Sequence, residues 1–129
     1  FELPTSEYFI VWQKGNALNF SFAMCEQAWT SVKKPAKLFV HFHASETATR
    51  IHPTQKPVAL YKWLLKNYAK PGDKILDTHV GSASSLIACH DLGFEYLGFE
   101  LDPDYFKMAT ERLERHKAQL NMFIDLEEI

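Results

Sequence analysis

The spacing of apolar and polar positions changes once along the chain, near Pro53. Before that point the apolar residues come in short unbroken runs. Tyr8-Phe9-Ile10-Val11-Trp12 is one, ended by the turn pair Gly15-Asn16. A continuous run of this length predicts a strand buried on both faces. Leu38-Phe39-Val40-His41-Phe42 predicts a second strand. Residues 16–36 contain Phe20, Phe22 and Trp29 but follow no period, and read as irregular. Residues 45–50 carry no apolar rhythm and read as an exposed loop.

After Pro53 helix and strand patterns alternate. Val58, Tyr61, Leu64, Leu65 and Tyr68 fall at three- and four-residue steps, predicting a helix over 57–69 with Pro57 at its first position. Pro71-Gly72-Asp73 stops it. Ile75-Leu76 leads a strand ending at Asp77. Gly81-Ser82 turns the chain into a helix that Gly93 closes. Tyr96 to Glu100 is a further strand. Asp102-Pro103 pairs an N-cap with a first-turn proline. Phe106, Ala109, Leu113 and Leu120 mark the inner side of the last helix. A strand, a crossover helix and a second strand imply a parallel pair. The fold class is therefore α/β, in a single domain over 1–129: strands and loops over 1–51, and a βαβ part over 52–129.

Composition narrows the function classes. The 129 residues are 47% hydrophobic and 23% charged, as in a folded domain. No apolar run reaches the roughly 18–20 residues that cross a bilayer, so no membrane partner is expected. Cys25 and Cys89 cannot build a disulfide framework, and a reducing, cytoplasmic setting is expected. Residues 1–60 carry six Lys/Arg against four Asp/Glu, and residues 61–129 carry eight against twelve. This balance differs from that of a strongly basic nucleic-acid binder. His41, His43 and His52 lack an acidic or thiol partner at ligand spacing, so no metal is expected.

The chemistry concentrates between residues 75 and 100. Asp77 ends one strand and Glu100 the next, 23 positions later, with the small residues Gly81-Ser82-Ala83-Ser84-Ser85 between them. Small residues let a ligand approach the backbone, and an acidic residue about 20 positions on grips ribose hydroxyls in nucleotide-binding βαβ units. G-x-G-x-x-G is missing, which points away from a dinucleotide oxidoreductase and toward a nucleoside-type cofactor.

His52-Pro53-Thr54-Gln55-Lys56-Pro57 carries the most specific signal. It resembles the signature of the amino-group DNA methyltransferases, which methylate adenine N6 or cytosine N4. Residues 52–115 resemble the family strongly, and 1–50 more loosely, as in phage-type members. The resemblance implies a Rossmann-like S-adenosylmethionine-dependent methyltransferase fold with an incomplete sheet. It implies that Asp77 binds the amino group of S-adenosylmethionine and Glu100 its ribose. By the same resemblance Val80, Gly81, Ser82 and Ala83 would lie against its methionine part, and His79 would wall the pocket. Thr54, Gln55 and Lys56 would close over the carboxylate end. Where relatives read Asp-Pro-Phe-x-Gly-Ser-Gly-Thr, this chain reads Asp77-Thr78-His79-Val80-Gly81-Ser82-Ala83-Ser84. Ala83 stands at a glycine position, where a positive φ would cost energy.

The family's catalytic tetrapeptide, Asp/Asn/Ser-Pro-Pro-aromatic, is not in this sequence. No catalytic residue is therefore assigned, and the motif is expected upstream of Phe1, as in a fragment of a longer chain. DNA is the expected partner of the parent enzyme. The central strand that carries the tetrapeptide in the family fold is missing too, and its absence would leave bare edges on the Phe9–Trp12 and Ile75–Asp77 strands, so self-association or a complementing chain is expected. The alternative reading is a non-catalytic cofactor- or DNA-binding subunit completed by a partner.

Overall fold

Alternating strands need partners distant in sequence, whereas a β-α-β run can assemble from neighbours, and this chain contains both arrangements. The computed structural model describes residues 2–15, 23–42 and 50–127, without the side chains of 120–127. It forms two compact units, Phe1–Ala48 and Thr49–Ile129. The boundary falls within the 45–50 segment predicted as an exposed loop, of which 45–49 lie outside the described residues.

The first unit is a three-stranded sheet. Strand β1 (Phe9–Gln13) is central, with β2 (Cys25–Trp29) antiparallel on one side and β3 (Lys37–Val40) parallel on the other. Both edges of β1 are thus hydrogen-bonded, and the bare edge expected along Phe9–Trp12 is not there. Burial along β1 alternates: Ile10 and Trp12 are inside, while Phe9 is 39% exposed. The expectation of burial on both faces fails because this thin sheet covers one face better than the other. In the β1 register Phe9 lies opposite Trp29, and Val11 opposite Leu38, so these four share the barer face. Strand β2 corrects the irregular reading of residues 16–36. Cys-Glu-Gln-Ala-Trp is almost wholly exposed and has no hydropathy period, so main-chain pairing with β1 defines it. Lys14 anchors its start, pairing with Glu26 at 2.6 Å and donating its N–H to the Met24 carbonyl. Strand β3 stops before His41, whose carbonyl accepts from the Trp12 indole. His43 lies outside the described residues.

The second unit follows the helix–strand alternation. Helix α1 (Val58–Tyr68) starts one residue later than predicted, because Pro57 is extended and serves as the cap. Strand β4 (Lys74–Asp77) pairs in parallel with β5 (Glu95–Gly98), and α2 (Ser84–Asp91) crosses between them. Ser-Ser-Leu-Ile-Ala-Cys is small or apolar all round, which suits a helix buried on every side. Residues 84–89 are all buried accordingly. The helix ends in a Schellman motif. Phe94 N–H donates to Cys89 O, Gly93 N–H donates to His90 O, and Gly93 takes φ +74° at no steric cost.

Helix α3 (Pro103–Glu127) begins where Asp102 Oδ1 accepts the N–H groups of Asp104 and Tyr105. Such a cap contributes about 1 kcal/mol. Ala109 and Leu113 pack on Ala83, Leu86 and Ile87 as predicted, but Phe106 is 56% exposed. No element covers it among the described residues, so its apolar character did not decide its side. The side chain of Leu120 lies outside the described residues. Leu65, Ala88 and Cys89 form a second buried cluster with Ile75 and Tyr96 against it. Asp91 ties the three helices together. Its carboxylate takes Lys62 Nζ from α1 and His116 Nε2 from α3, each at 2.6 Å. Burial works to raise its pKa, but these hydrogen bonds and charges outweigh burial and hold the carboxyl below its ordinary value.

Candidate functional site

The segments that follow β4 and β5, and the turn leading into α2, border a cavity of about 360 Å³. Three short segments wall it: His52, Thr54, Gln55 and Lys56 before α1; His79, Val80, Gly81 and Ser82 after β4; and Glu100 after β5. Tyr61 and Ser84 complete the lining. Crevices at strand C-termini are the usual ligand sites of open α/β sheets.

Main-chain bonds hold the strand ends in place. Phe99 N–H donates to Asp77 O, and Val80 N–H donates back to Phe99 O. Gly98 is in register with Asp77, and space is tight beside it. A Cβ there would lie 2.5 Å from Val80 Cγ2 and 2.9 Å from Leu86 Cδ1. The absence of a side chain thus lets the Val80 wall pack onto β5.

Glu100 accepts from two backbone donors. Oε1 takes the Asp102 N–H at 3.0 Å and Oε2 the Gly81 N–H at 2.8 Å. These two bonds, in that order, hold its carboxyl below the ordinary glutamate value. A carboxylate offers about four lone-pair sites, so two remain for further donors.

Asp77 is engaged differently. Oδ1 accepts the His79 N–H at 2.9 Å, and Oδ2 accepts the Ser85 hydroxyl at 2.5 Å. It is not part of the cavity wall. Ala83 is also absent from that wall. It is 1% exposed and borders a smaller apolar cavity of about 70 Å³ with Phe106 and Leu113. The structure therefore gathers eight of the ten sequence-predicted residues around one cavity and leaves Asp77 and Ala83 behind the turn.

Gln55 carries an unmet donor. The residue is 5% exposed; its Oε1 accepts the Ile51 N–H at 3.0 Å, which fixes the amide orientation. Its buried Nε2 has no hydrogen-bond partner among the described residues. Leaving such a group unsatisfied costs about 1–3 kcal/mol. His52 braces the same segment. Its Nδ1 accepts the Thr54 N–H and lies 3.0 Å from the Thr54 hydroxyl, and its ring sits 4.3 Å from that of Tyr105. Among the described residues no group of three His, Cys, Asp or Glu is arranged to hold a metal.

Sequence reasoning missed Tyr61, Ser84, Ser85, Tyr105 and Arg112. Tyr61 counted only as an apolar helix position, and the serines only as small residues. Tyr105, Ala109 and Arg112 lie on one line of α3, so a charge on the line carrying a buried alanine was the available signal.

Comparison with known proteins fits this arrangement. Residues 7–111 match the N6/N4 methyltransferase family, described as DNA methylase. The chain belongs to this family. It is 34% identical over 90 residues to the type II methyltransferase M.HpaI of Haemophilus parainfluenzae, covering 70% of this chain and 28% of that protein. It is 40% identical over 63 residues to the type II methyltransferase M2.DpnII of Streptococcus pneumoniae, covering 49% of this chain and 24% of the relative. The chain thus spans about a quarter of the length of these relatives. Its fold matches the crystal structure of an M1.HpyAVI–SAM complex with a TM-score of 0.60 at 23% identity, over 81% of this chain and 60% of the other. The α/β methyltransferase fold expected from the sequence is therefore present.

Proposed function

We propose that this chain is the cofactor-binding part of an S-adenosylmethionine-dependent DNA methyltransferase acting on an exocyclic amino group of adenine or cytosine. The observation that carries the reading is the unpartnered Gln55 Nε2 among residues lining a strand-end cavity. The residues present suit the cofactor. Gln55 Nε2 donates to its carboxylate, with Thr54 and the Lys56 cation at the same rim. Glu100 accepts from the ribose diol through its remaining lone pairs. Asp77, behind the turn, would act on the ammonium group only through its charge, while its oxygens hold the His79 N–H and the Ser85 hydroxyl. His79 and Val80 form the wall, and the backbone of Gly81 to Ala83 allows close approach. When bound there, S-adenosylmethionine supplies an electrophilic methyl group on its sulfonium. The chain's own residues bind, orient and screen it, which is how such a site lowers a barrier.

DNA is the proposed partner, and no helix among the described residues is long and apolar enough to cross a membrane. A base must leave the stack for its amino group to be reached. No Asp/Asn/Ser-Pro-Pro-aromatic sequence occurs in this chain to hold such a base. A second reading, a subunit completed by another copy or another chain, is favoured by one feature. Leu76 and Leu97, side by side in the β4–β5 register, are 60% and 58% exposed.

Calorimetry with S-adenosylhomocysteine tests the cofactor assignment. Gln55→Ala is expected to weaken binding roughly tenfold, the effect of about 1.4 kcal/mol from one buried hydrogen bond. Asp77→Ala should also bind more weakly. Equal affinities for both variants and wild type would reject the site. The purified chain is expected to transfer no tritiated methyl to mixed-sequence DNA. Robust transfer would mean that the target-holding groups are within these residues.

A further inference from the structure

The turn between β4 and α2 contains a left-handed residue that is not glycine. Ala83 has φ +65° and ψ +18°, and Gly81 two positions earlier has φ +55°. An L-residue is disfavoured there and persists only where its surroundings fix it. Ala83 is the N-cap of α2, and no side chain caps that helix start.

One side chain from α3 grips both flanks of Ala83. Arg112 Nη1 donates to the Ser82 carbonyl at 2.7 Å and to Ser84 Oγ at 2.8 Å. Ser84 Oγ in turn lies 3.2 Å from Ser82 Oγ. Both serines are buried and both line the cavity. The helix macrodipole does not explain this placement, because a cation at a helix N-terminus is disfavoured. The acceptors do explain it: a carbonyl and a hydroxyl on either side of the strained residue, each taking one N–H of a rigid fork.

We propose that Arg112 is a positioning residue. It clamps Ser82 and Ser84 so that Ala83 stays left-handed and the Gly81–Ser84 turn is held ready for ligand. Ala83 contributes two bonds to the turn: its N–H donates to Val80 O, and its carbonyl accepts the Ile87 N–H that opens the helix. Losing the clamp would let Ala83 relax and would move the wall carrying Gly81 and Ser82. The consequence for affinity rests on the cofactor reading above; the clamp itself does not.

A double-mutant cycle of Arg112→Gln and Ala83→Gly separates the two. On the ligand-free chain, Arg112→Gln should lower Tm and speed amide exchange at Ile87 at least tenfold. In the Ala83→Gly background the same change should have a much smaller effect, because glycine carries no left-handed penalty. Arg112→Lys should recover only part of the loss. For S-adenosylhomocysteine, Arg112→Gln should weaken binding roughly tenfold, and Ala83→Gly should restore most of it. Equal losses in both backgrounds, or unchanged Ile87 exchange, would overturn the clamp. If Arg112→Gln does not fold but the double variant does, the clamp is supported; if neither folds, Arg112 is merely structural and the proposal fails. A wild type that shows no S-adenosylhomocysteine binding removes the cofactor reading and leaves the ligand-free cycle to decide the clamp.

Discussion

The two sheets of this chain are stabilised by different means. In the first, three strands meet through main-chain pairs between residues distant in sequence, and burial concentrates on Ile10 and Trp12. In the second, two strands are joined by a helix that is itself their cover, with every residue from 84 to 89 buried. The comparison shows that a connecting helix can supply the apolar layer on one face of a sheet, while Leu76 and Leu97 stay exposed on the other. A sheet whose connections lie elsewhere depends on one or two large anchors.

The largest test of this contrast removes those anchors. Trp12→Ala is expected to cost about 3–5 kcal/mol and Ile87→Ala about 2–5 kcal/mol in urea unfolding. Leu38→Ala, on the bare face of the first sheet, should stay within about 0.5 kcal/mol. A Leu38 variant as damaging as Trp12→Ala would mean that the bare face is covered in solution, and the comparison would break.

A smaller effect sharpens the account of the second unit. Asp91→Asn should cost about 1–3 kcal/mol, since Lys62 and His116 lose a charged acceptor. The folded carboxyl sits below its ordinary value of 3.8. Its stabilisation is therefore complete above that value and is lost as pH falls through the folded pKa. Thermal melts across this acidic range should fall more steeply for wild type than for Asp91→Asn. Parallel curves would show that the three-helix tie contributes nothing.

What the sequence disclosed follows from how local each signal is. Gly93 and Asp102-Pro103 announce helix ends because a cap is settled within a few residues. The parallel β4–β5 pair follows from the connecting helix alone. Strand β2 was hidden because its pairing with β1 places no demand on side-chain period. In the site, Thr54 to Lys56, His79 to Ser82 and Glu100 belong to short motifs at strand and helix ends, so their convergence could be anticipated. Asp77 and Ala83 were assigned to the same wall, but Ser85 and Val80 draw their polar groups into the turn. Arg112 acts across 30 residues, and a lone arginine on a helix carries no local mark of that. Phe106 shows the converse: an apolar residue at a plausible inner position borders a small apolar cavity and still remains 56% exposed.

The close fit at Gly98 links the histories of two positions. An alanine there would meet Val80 before anything else, while a substitution at Gly93 would meet no atom within 4 Å and would suffer only from its φ of +74°. One glycine is required by torsion and the other by space. A space requirement can be lifted by the neighbour that creates it. Gly98→Ala should therefore be better tolerated in a Val80→Ala background than alone, with the remaining 2.9 Å approach to Leu86 Cδ1 left to a shift of that side chain.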